Sequence, residues 1–361
     1  MPIKRIFFPL FIAIMLLAQT VFAQLTNSSK RTIVVMGSSS AYGWRSTVPD
    51  SAYVRRLQAD LHYYSRGDTI IDIAFPGNTT YVCLPTGTSV PAYAPAPDPS
   101  MNVTAALSYN PTFVIISLPT NDIANYYSDT ETLNNYKTIT DALDAAGVPY
   151  IITGTQPRDL ATDVGCSYAF DGRYVCLSTG GLTSTQQLDL GTFNGLLAAQ
   201  YPLNATYGAP IVNNFLTQLS VSSSNFELNP AIGYGDGIHY VDAGHRIVYN
   251  AFLNFQLYKD LVNFKPTLTL SLSPKSIGTP DFAPGAVSNY PGPAITYTSS
   301  NPAVATITGG GLIHLVGVGS TTITATQAGD VHHLTSSTST TLTCTAPTVI
   351  AYDWIGGVSA A

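Results

Sequence analysis

Ile33-Val34-Val35-Met36-Gly37-Ser38-Ser39-Ser40 is a β-branched apolar run that stops abruptly at a glycine and three hydroxyls. The same pattern returns at Phe113-Val114-Ile115-Ile116, which leads through Ser117-Leu118 to Pro119-Thr120-Asn121-Asp122. Runs of this length and composition predict buried strands, each giving way to a loop at its carboxyl end. Two further strands are predicted over residues 69–74 and 149–153. Amphipathic stretches at 52–64, 133–146, 185–199 and 243–258 predict the helices between and after them. Strands alternating with helices imply an α/β fold, a parallel sheet with helices on both faces. In such sheets, binding crevices form beyond the carboxyl ends of the strands.

The texture changes after Lys265-Pro266. Short alternating segments such as Thr321-Thr322-Ile323-Thr324-Ala325-Thr326, punctuated by Gly and Pro, predict a small all-β sandwich. At the other end, Lys4-Arg5 precede an apolar run from Ile6 to Ala18, and Val21-Phe22-Ala23 supplies a small-x-small ending. That is the pattern of a secretory signal peptide cleaved after Ala23, and the run is short for a bilayer span. The expected organisation is a signal peptide at 1–23, an α/β domain at 30–264, an all-β domain at 266–345 and a short tail at 346–361. Secretion to the medium, periplasm or cell surface follows from this reading, with no integral membrane contact and, lacking a lipobox cysteine, no lipid anchor.

Fifteen basic against twenty-one acidic residues give a formal charge of −6, and no Lys/Arg cluster is present. A nucleic-acid partner is therefore not expected, because phosphate binding needs a basic face. Charged residues make up only 10% of a chain holding 22 Tyr, so the surface is polar but weakly charged. That composition suits a neutral polymer or sugar as partner. The four cysteines, Cys83, Cys166, Cys176 and Cys344, match no zinc spacing, so no metal is expected. Cys166 and Cys176 bracket a loop and are expected to be bridged in an exported protein; Cys83 and Cys344 are expected to be free.

Late in the α/β region stands Asp236-Gly237-Ile238-His239, whose spacing lets an acid reach back to an imidazole. Asp242-Ala243-Gly244-His245 repeats the spacing six residues on. The first copy lies in a glycine-rich loop suited to an exposed site. The second opens an amphipathic helix, where Asp242 reads as N-cap and His245 as a first-turn residue. The first copy is preferred. His62, His314, His332 and His333 are read as structural. Asp159 and Asp163 form no convincing paired-acid glycosidase site. Arg158, in Thr155-Gln156-Pro157-Arg158 after the 149–153 strand, is a candidate contact for substrate or for an acid. Asp122 is a second candidate substrate contact.

Gly37-Ser38-Ser39, Gly77-Asn78, Thr120-Asn121-Asp122 and Asp236-Gly237-Ile238-His239, in that order, resemble the blocks of the SGNH (GDSL-like) hydrolase superfamily. The resemblance spans about Arg31 to Phe264, and no Gly-x-Ser-x-Gly elbow points to an ordinary α/β-hydrolase instead. It implies a flavodoxin-like three-layer parallel sheet and a serine esterase without cofactor. It further implies Ser39 as nucleophile, His239 as general base and Asp236 as the acid that orients it. The oxyanion hole would combine the Ser39 N–H, the Gly77 N–H and the Asn121 side-chain amide. The family's usual first block is Gly-Asp-Ser, and Ser38 stands here in place of the acid. The same Gly-Ser-Ser marks a secreted bacterial branch, with Ser38 and Ser40 as the alternative nucleophiles. Residues 266–345 resemble a bacterial Ig-like domain of the group-2 type, a spacer or adhesive unit. The implied substrates are short-chain or O-acetyl esters of carbohydrate, including acetylated polysaccharide; lipid, aryl and polyester substrates stay open. So does a weak or inactive glycan-binding or adhesion protein.

Overall fold

The computed structural model describes residues 29–46, 48–159, 169–170, 174–175, 182–202, 210–212, 215–222 and 226–347. The expected signal peptide, Asp163, the Cys166–Cys176 pair and most of the tail lie outside the described residues. Two compact units divide between Val262 and Asn263.

In the first unit, strands β1 (Thr32–Gly37), β2 (Thr69–Asp72), β3 (Phe113–Ser117), β4 (Tyr150–Thr153) and β5 (Ile211–Val212) form one sheet in the order β2-β1-β3-β4-β5. Every pairing is parallel. The helices are α1 (Ser39–Tyr42), α2 (Tyr53–Leu61), α3 (Thr80–Cys83), α4 (Val103–Ser108), α5 (Pro119–Ala124), α6 (Asp129–Ala145), α7 (Ser184–Gln200), α8 (Phe215–Leu219), α9 (Asp242–Asn254) and α10 (Gln256–Val262). This is the flavodoxin-like order, in which the chain runs from β1 to one side and returns to the other. The β1/β3 junction is the topological switch point. Ile33–Met36 and Phe113–Ile116 are wholly buried, which is why these central strands read as unbroken apolar runs.

Local signals set several helix starts. Ser128 and Glu131 form a reciprocal capping box ahead of α6, and Thr183 and Gln186 form another ahead of α7. The expected single helix at 243–258 is two, because Phe255 is extended between α9 and α10. The break lets Leu257, Tyr258, Leu261 and Val262 bury together. The fifth strand escapes sequence reading because it contains two residues, too few to show any period.

In the second unit, Ile295–Ser299, Gly319–Gln327, Ser336–Thr345 and Lys275–Ser276 form a four-stranded sheet in that order. Ala305–Ile307 pairs with Ile313–Leu315, and Leu268–Thr269 with Val287–Ser288. Val304, Ala305, Ile313, Leu315, Ile323, Leu342 and Cys344 make its core, giving a β-sandwich-like arrangement. Ser336–Thr345 shows no apolar alternation in the sequence, since its inner face offers only Leu342 and Cys344 among hydroxyl residues. His314 and His333 pair with Asp281 and Asp330, at 2.7 and 2.9 Å, and His333 stacks on Tyr290. Cys83 and Cys344 are free and buried. Among the described residues no helix is long and apolar enough to cross a membrane.

The end of β1 packs tightly on β3. A Cβ added at Gly37 would lie 2.6 Å from the Ala41 Cβ and 3.0 Å from the Ser117 carbonyl oxygen. Gly37→Ala is therefore expected to destabilise the unit by about 1–3 kcal/mol, read as a lower midpoint in urea or thermal unfolding.

Candidate active site

Four loops converge at the carboxyl ends of β1, β2, β3 and the segment before α9. The first begins α1, where Ser39 is the opening helical residue and Ser38 is an extended N-cap with no side-chain cap bond. The Ser38 N–H donates to the Ser117 carbonyl at 3.0 Å, anchoring the turn to β3. The three serines then part ways. Ser39 Oγ lies 2.8 Å from His239 Nε2, whereas Ser40 Oγ donates to Gln156 Oε1.

His239 Nδ1 lies 2.9 Å from Asp236 Oδ2. The other carboxylate oxygen, Oδ1, accepts the backbone N–H of Ile238 at 3.1 Å and of His239 at 2.9 Å. This Asx turn explains the spacing, because one oxygen folds the loop and leaves the other for the imidazole. Gly237, at φ +69°, provides the left-handed residue the turn needs, and its carbonyl accepts the Asp159 N–H at 2.7 Å. Burial pushes the Asp236 carboxyl up. The His239 bond and charge and the two backbone donors outweigh it and hold the group at about 2. Burial pushes the His239 imidazole down; the bond to Asp236 opposes this, and the charges of Arg158 and Arg45 add to it. A neutral imidazole accepting from a serine hydroxyl is the arrangement that can activate it for attack.

The histidine of the second Asp-x-x-His copy is sealed in the interior. His245 is fully buried, 4.6 Å from the Tyr240 ring, and accepts the Tyr53 N–H at 3.3 Å. Burial lowers it to about 4. Asp242 is the first residue of α9 rather than its N-cap, which is Val241, and it accepts from Ser51.

Gly77 is the third residue of a tight turn over Phe75–Asn78, closed by the Asn78 N–H to the Phe75 carbonyl at 3.2 Å. Pro76 precedes it and its own φ is +86°, the type II pattern that requires glycine. Asn121 sits in α5 beside this turn and donates from Nδ2 to the Asn78 carbonyl at 2.9 Å. Its Oδ1 accepts from Arg158 Nη1 at 3.2 Å. Because a guanidinium only donates, the amide orientation is settled: oxygen toward Arg158, nitrogen toward the turn. One amide proton is left for a further acceptor.

Asp122 requires a correction. It is 0% exposed, and both its oxygens accept from the Thr80 N–H at 3.1 Å, with the Thr80 hydroxyl on Oδ1. It binds α3 to α5 and is not open to substrate; the acid follows an exposed-looking Asn, and only packing reveals that it points inward. Burial pushes its carboxyl up to about 7 against the pull of the Thr80 donors. Three participants were missed as well. Gln156 joins Ser40 to Thr120, whose Oγ1 accepts the Gln156 N–H at 2.9 Å, and Arg45 reaches Asp236 at 3.7 Å. Gln156 could have been suspected from its place at a strand end, and Thr120 from its place in the Thr120-Asn121-Asp122 block; nothing local marks Arg45.

Residues 35–247 match the sequence model of the GDSL-like lipase/acylhydrolase family. This chain belongs to that family. As a GDSL-like acylhydrolase it is a carboxylic ester hydrolase. Residues 291–329 match the immunoglobulin-like domain of intimin, so the second unit is Ig-like. No curated protein matches the chain. Among solved structures, an assigned acylhydrolase of Bacteroides fragilis is similar at 22% identity and a TM-score of 0.43, over 68% of this chain and 95% of its own. A GDSL-like lipase of Bacteroides thetaiotaomicron is similar at 20% and 0.40, over 64% and 92%. An acetyl xylan esterase is similar at 14% and 0.41, over 61% and 96%.

Removing the carboxylate that ties α3 to α5 is expected to loosen the site as well as the fold. Asp122→Ala leaves the Thr80 N–H and hydroxyl unpaired and is expected to cost about 1–3 kcal/mol of stability, measured by urea unfolding. Ester hydrolysis at a temperature where the variant stays folded is expected to fall through kcat more than KM.

Proposed function

We propose that this GDSL-like acylhydrolase is a secreted serine esterase that cleaves short-chain esters, with O-acetyl groups on carbohydrate as its main substrates. The observation that carries the catalytic part is the continuous chain Ser39 Oγ, His239 Nε2, His239 Nδ1, Asp236 Oδ2, at 2.8 and 2.9 Å. Ser39 attacks the ester carbonyl as Nε2 takes its proton. The imidazolium, stabilised by Asp236, returns the proton to the departing alcohol. Water then repeats the attack on the acyl-Ser39 ester, with His239 again as base, and frees the acid. The Ser39 N–H, the Gly77 N–H and the free proton of Asn121 Nδ2 are the donors for the tetrahedral oxyanion. A sugar as the alcohol part is favoured by the weakly charged surface and by half-exposed rings bordering the nucleophile and acid loops, Tyr42 at 46% and Tyr234 at 47%. Secretion is favoured by the basic-then-apolar pattern of residues 1–23 and by the Ig-like unit.

The deciding comparison is p-nitrophenyl acetate hydrolysis by wild type and Ser39→Ala. The variant is expected to lose kcat roughly 10⁴-fold or more; undiminished turnover would remove Ser39 from the mechanism. Asn121→Ala is expected to cost about 10²–10³ in kcat. Acetate release from an acetylated polysaccharide, set against tributyrin and an aromatic polyester, tests the substrate class. Activity confined to the latter two would overturn the carbohydrate assignment.

The pH profile has a defined sign. His239 works as a base only when neutral, and its folded value is depressed. Activity is therefore expected to persist as pH falls past about 6.5, the ordinary imidazole value, and to decline only below it. An acid limb centred at or above that value would contradict the assignment. Asp236, at about 2, stays ionised throughout.

A further inference from the structure

Arg45 stands two residues beyond Gly43 in the loop that leaves α1. Its backbone lies in the left-handed region, at φ +68°. For a long side chain this conformation is unfavourable and persists only where the surroundings over-determine it. Here they do. The guanidinium lies 4.5 Å above the Tyr234 ring and 5.4 Å from that of Trp44, and Nη1 reaches the Tyr234 hydroxyl at 3.4 Å. Nε lies 3.7 Å from Asp236 Oδ2, with the side chain 19% exposed. That oxygen is the same one that meets His239 Nδ1.

We propose that Arg45 is a positioning residue, the fourth member of the chain that ends at Ser39, holding the Asp236 carboxylate through Oδ2 while the backbone holds it through Oδ1. The inference rests on the serine-esterase reading of the same site. With Oδ1 occupied by the Ile238 and His239 N–H groups, rotation of the carboxylate requires Oδ2 to leave the imidazole at 2.9 Å and to move against the attraction of the guanidinium, an ion pair at 3.7 Å rather than a hydrogen bond. Two aromatic faces restrict the guanidinium in turn. An arginine stays charged at every working pH, so its field opposes the imidazolium form of His239 and keeps the base neutral in mild acid. The charged and titratable groups that bear on His239 are Asp236, which favours its protonation, Arg158 and Arg45, which oppose it, and the buried, neutral His245 on α9.

Arg45→Gly separates this role from a structural one, because glycine accepts the left-handed backbone without strain. Three measurements are compared among wild type, R45G and R45K: the thermal midpoint, the His239 imidazole titration by NMR, and kcat and KM across pH. R45G is expected to match or exceed wild type in thermal midpoint. Its His239 titration and the acid limb of kcat/KM are expected to move up by about half a pH unit or more. Its kcat is expected to fall roughly tenfold at neutral pH with KM nearly unchanged, a loss realised in the transition state. R45K, which keeps the charge, is expected to recover most of both. An R45G titration and rate profile that superpose on wild type would overturn the assignment. So would a thermal midpoint several degrees lower, which would make Arg45 a residue of stability. If wild type turned over no ester, the esterase reading would fail by itself, and the imidazole titration would still decide what Arg45 does.

Discussion

The carboxylate of Asp122, sealed from water and held by the Thr80 N–H and hydroxyl, ties the loop after β2 to the loop after β3. A buried acid is tolerable only with such partners, so neither loop can shift without exposing an unpaired charge or donor. Asn135 adds a further clamp from α6, donating to Thr80 Oγ1 at 3.0 Å. The two groups proposed as the outer oxyanion donors, Gly77 and Asn121, ride on these loops within a few residues of the tie. Their separation is thereby set by the interior rather than by the flexible surface. Preorganised donors of this kind need no rearrangement when charge develops.

The switch point of the sheet does the rest. Because the strand order reverses between β1 and β3, the loops that follow them diverge and leave a crevice. Ser39 enters it from β1 and Asn121 from β3, while the segment after β4 braces both. Gln156 links Ser40 to Thr120, Arg158 holds the Asn121 amide, and the Asp159 N–H meets the Gly237 carbonyl. Three residues at one strand end, Gln156, Arg158 and Asp159, therefore touch between them the loops that carry Ser39, Asn121 and Asp236. The replacement of the family's acid by Ser38 is absorbed easily here, since Ser38 serves the turn through its backbone N–H.

The Ig-like unit follows different physics. Its core is small, and its inner residues alternate along Gly319–Gln327 with a period of two, as a sheet with one covered face demands. Hydroxyl side chains dominate its outer faces and much of Ser336–Thr345, so hydrogen bonding between strands, more than apolar pattern, defines that last strand.

Local sequence determined the central strands, because β1 and β3 are buried on both faces and admit only apolar residues. It also determined the Asp236–His239 pair, because a single Asx turn over four residues builds it. The order of the blocks likewise identified the fold family. The glycine-rich loop favoured the first of the two Asp-x-x-His pairs, but only the packed sheet brings His239 to a serine two hundred residues away and turns Asp122 inward beside Asn121. Those outcomes depend on which face of α5 and α9 the sheet covers. Arg45 was invisible for the same reason: its contacts with Tyr234 and Asp236 exist only once the loops after α1 and before α9 are brought together, and that meeting is a property of the packed sheet, not of any stretch of chain.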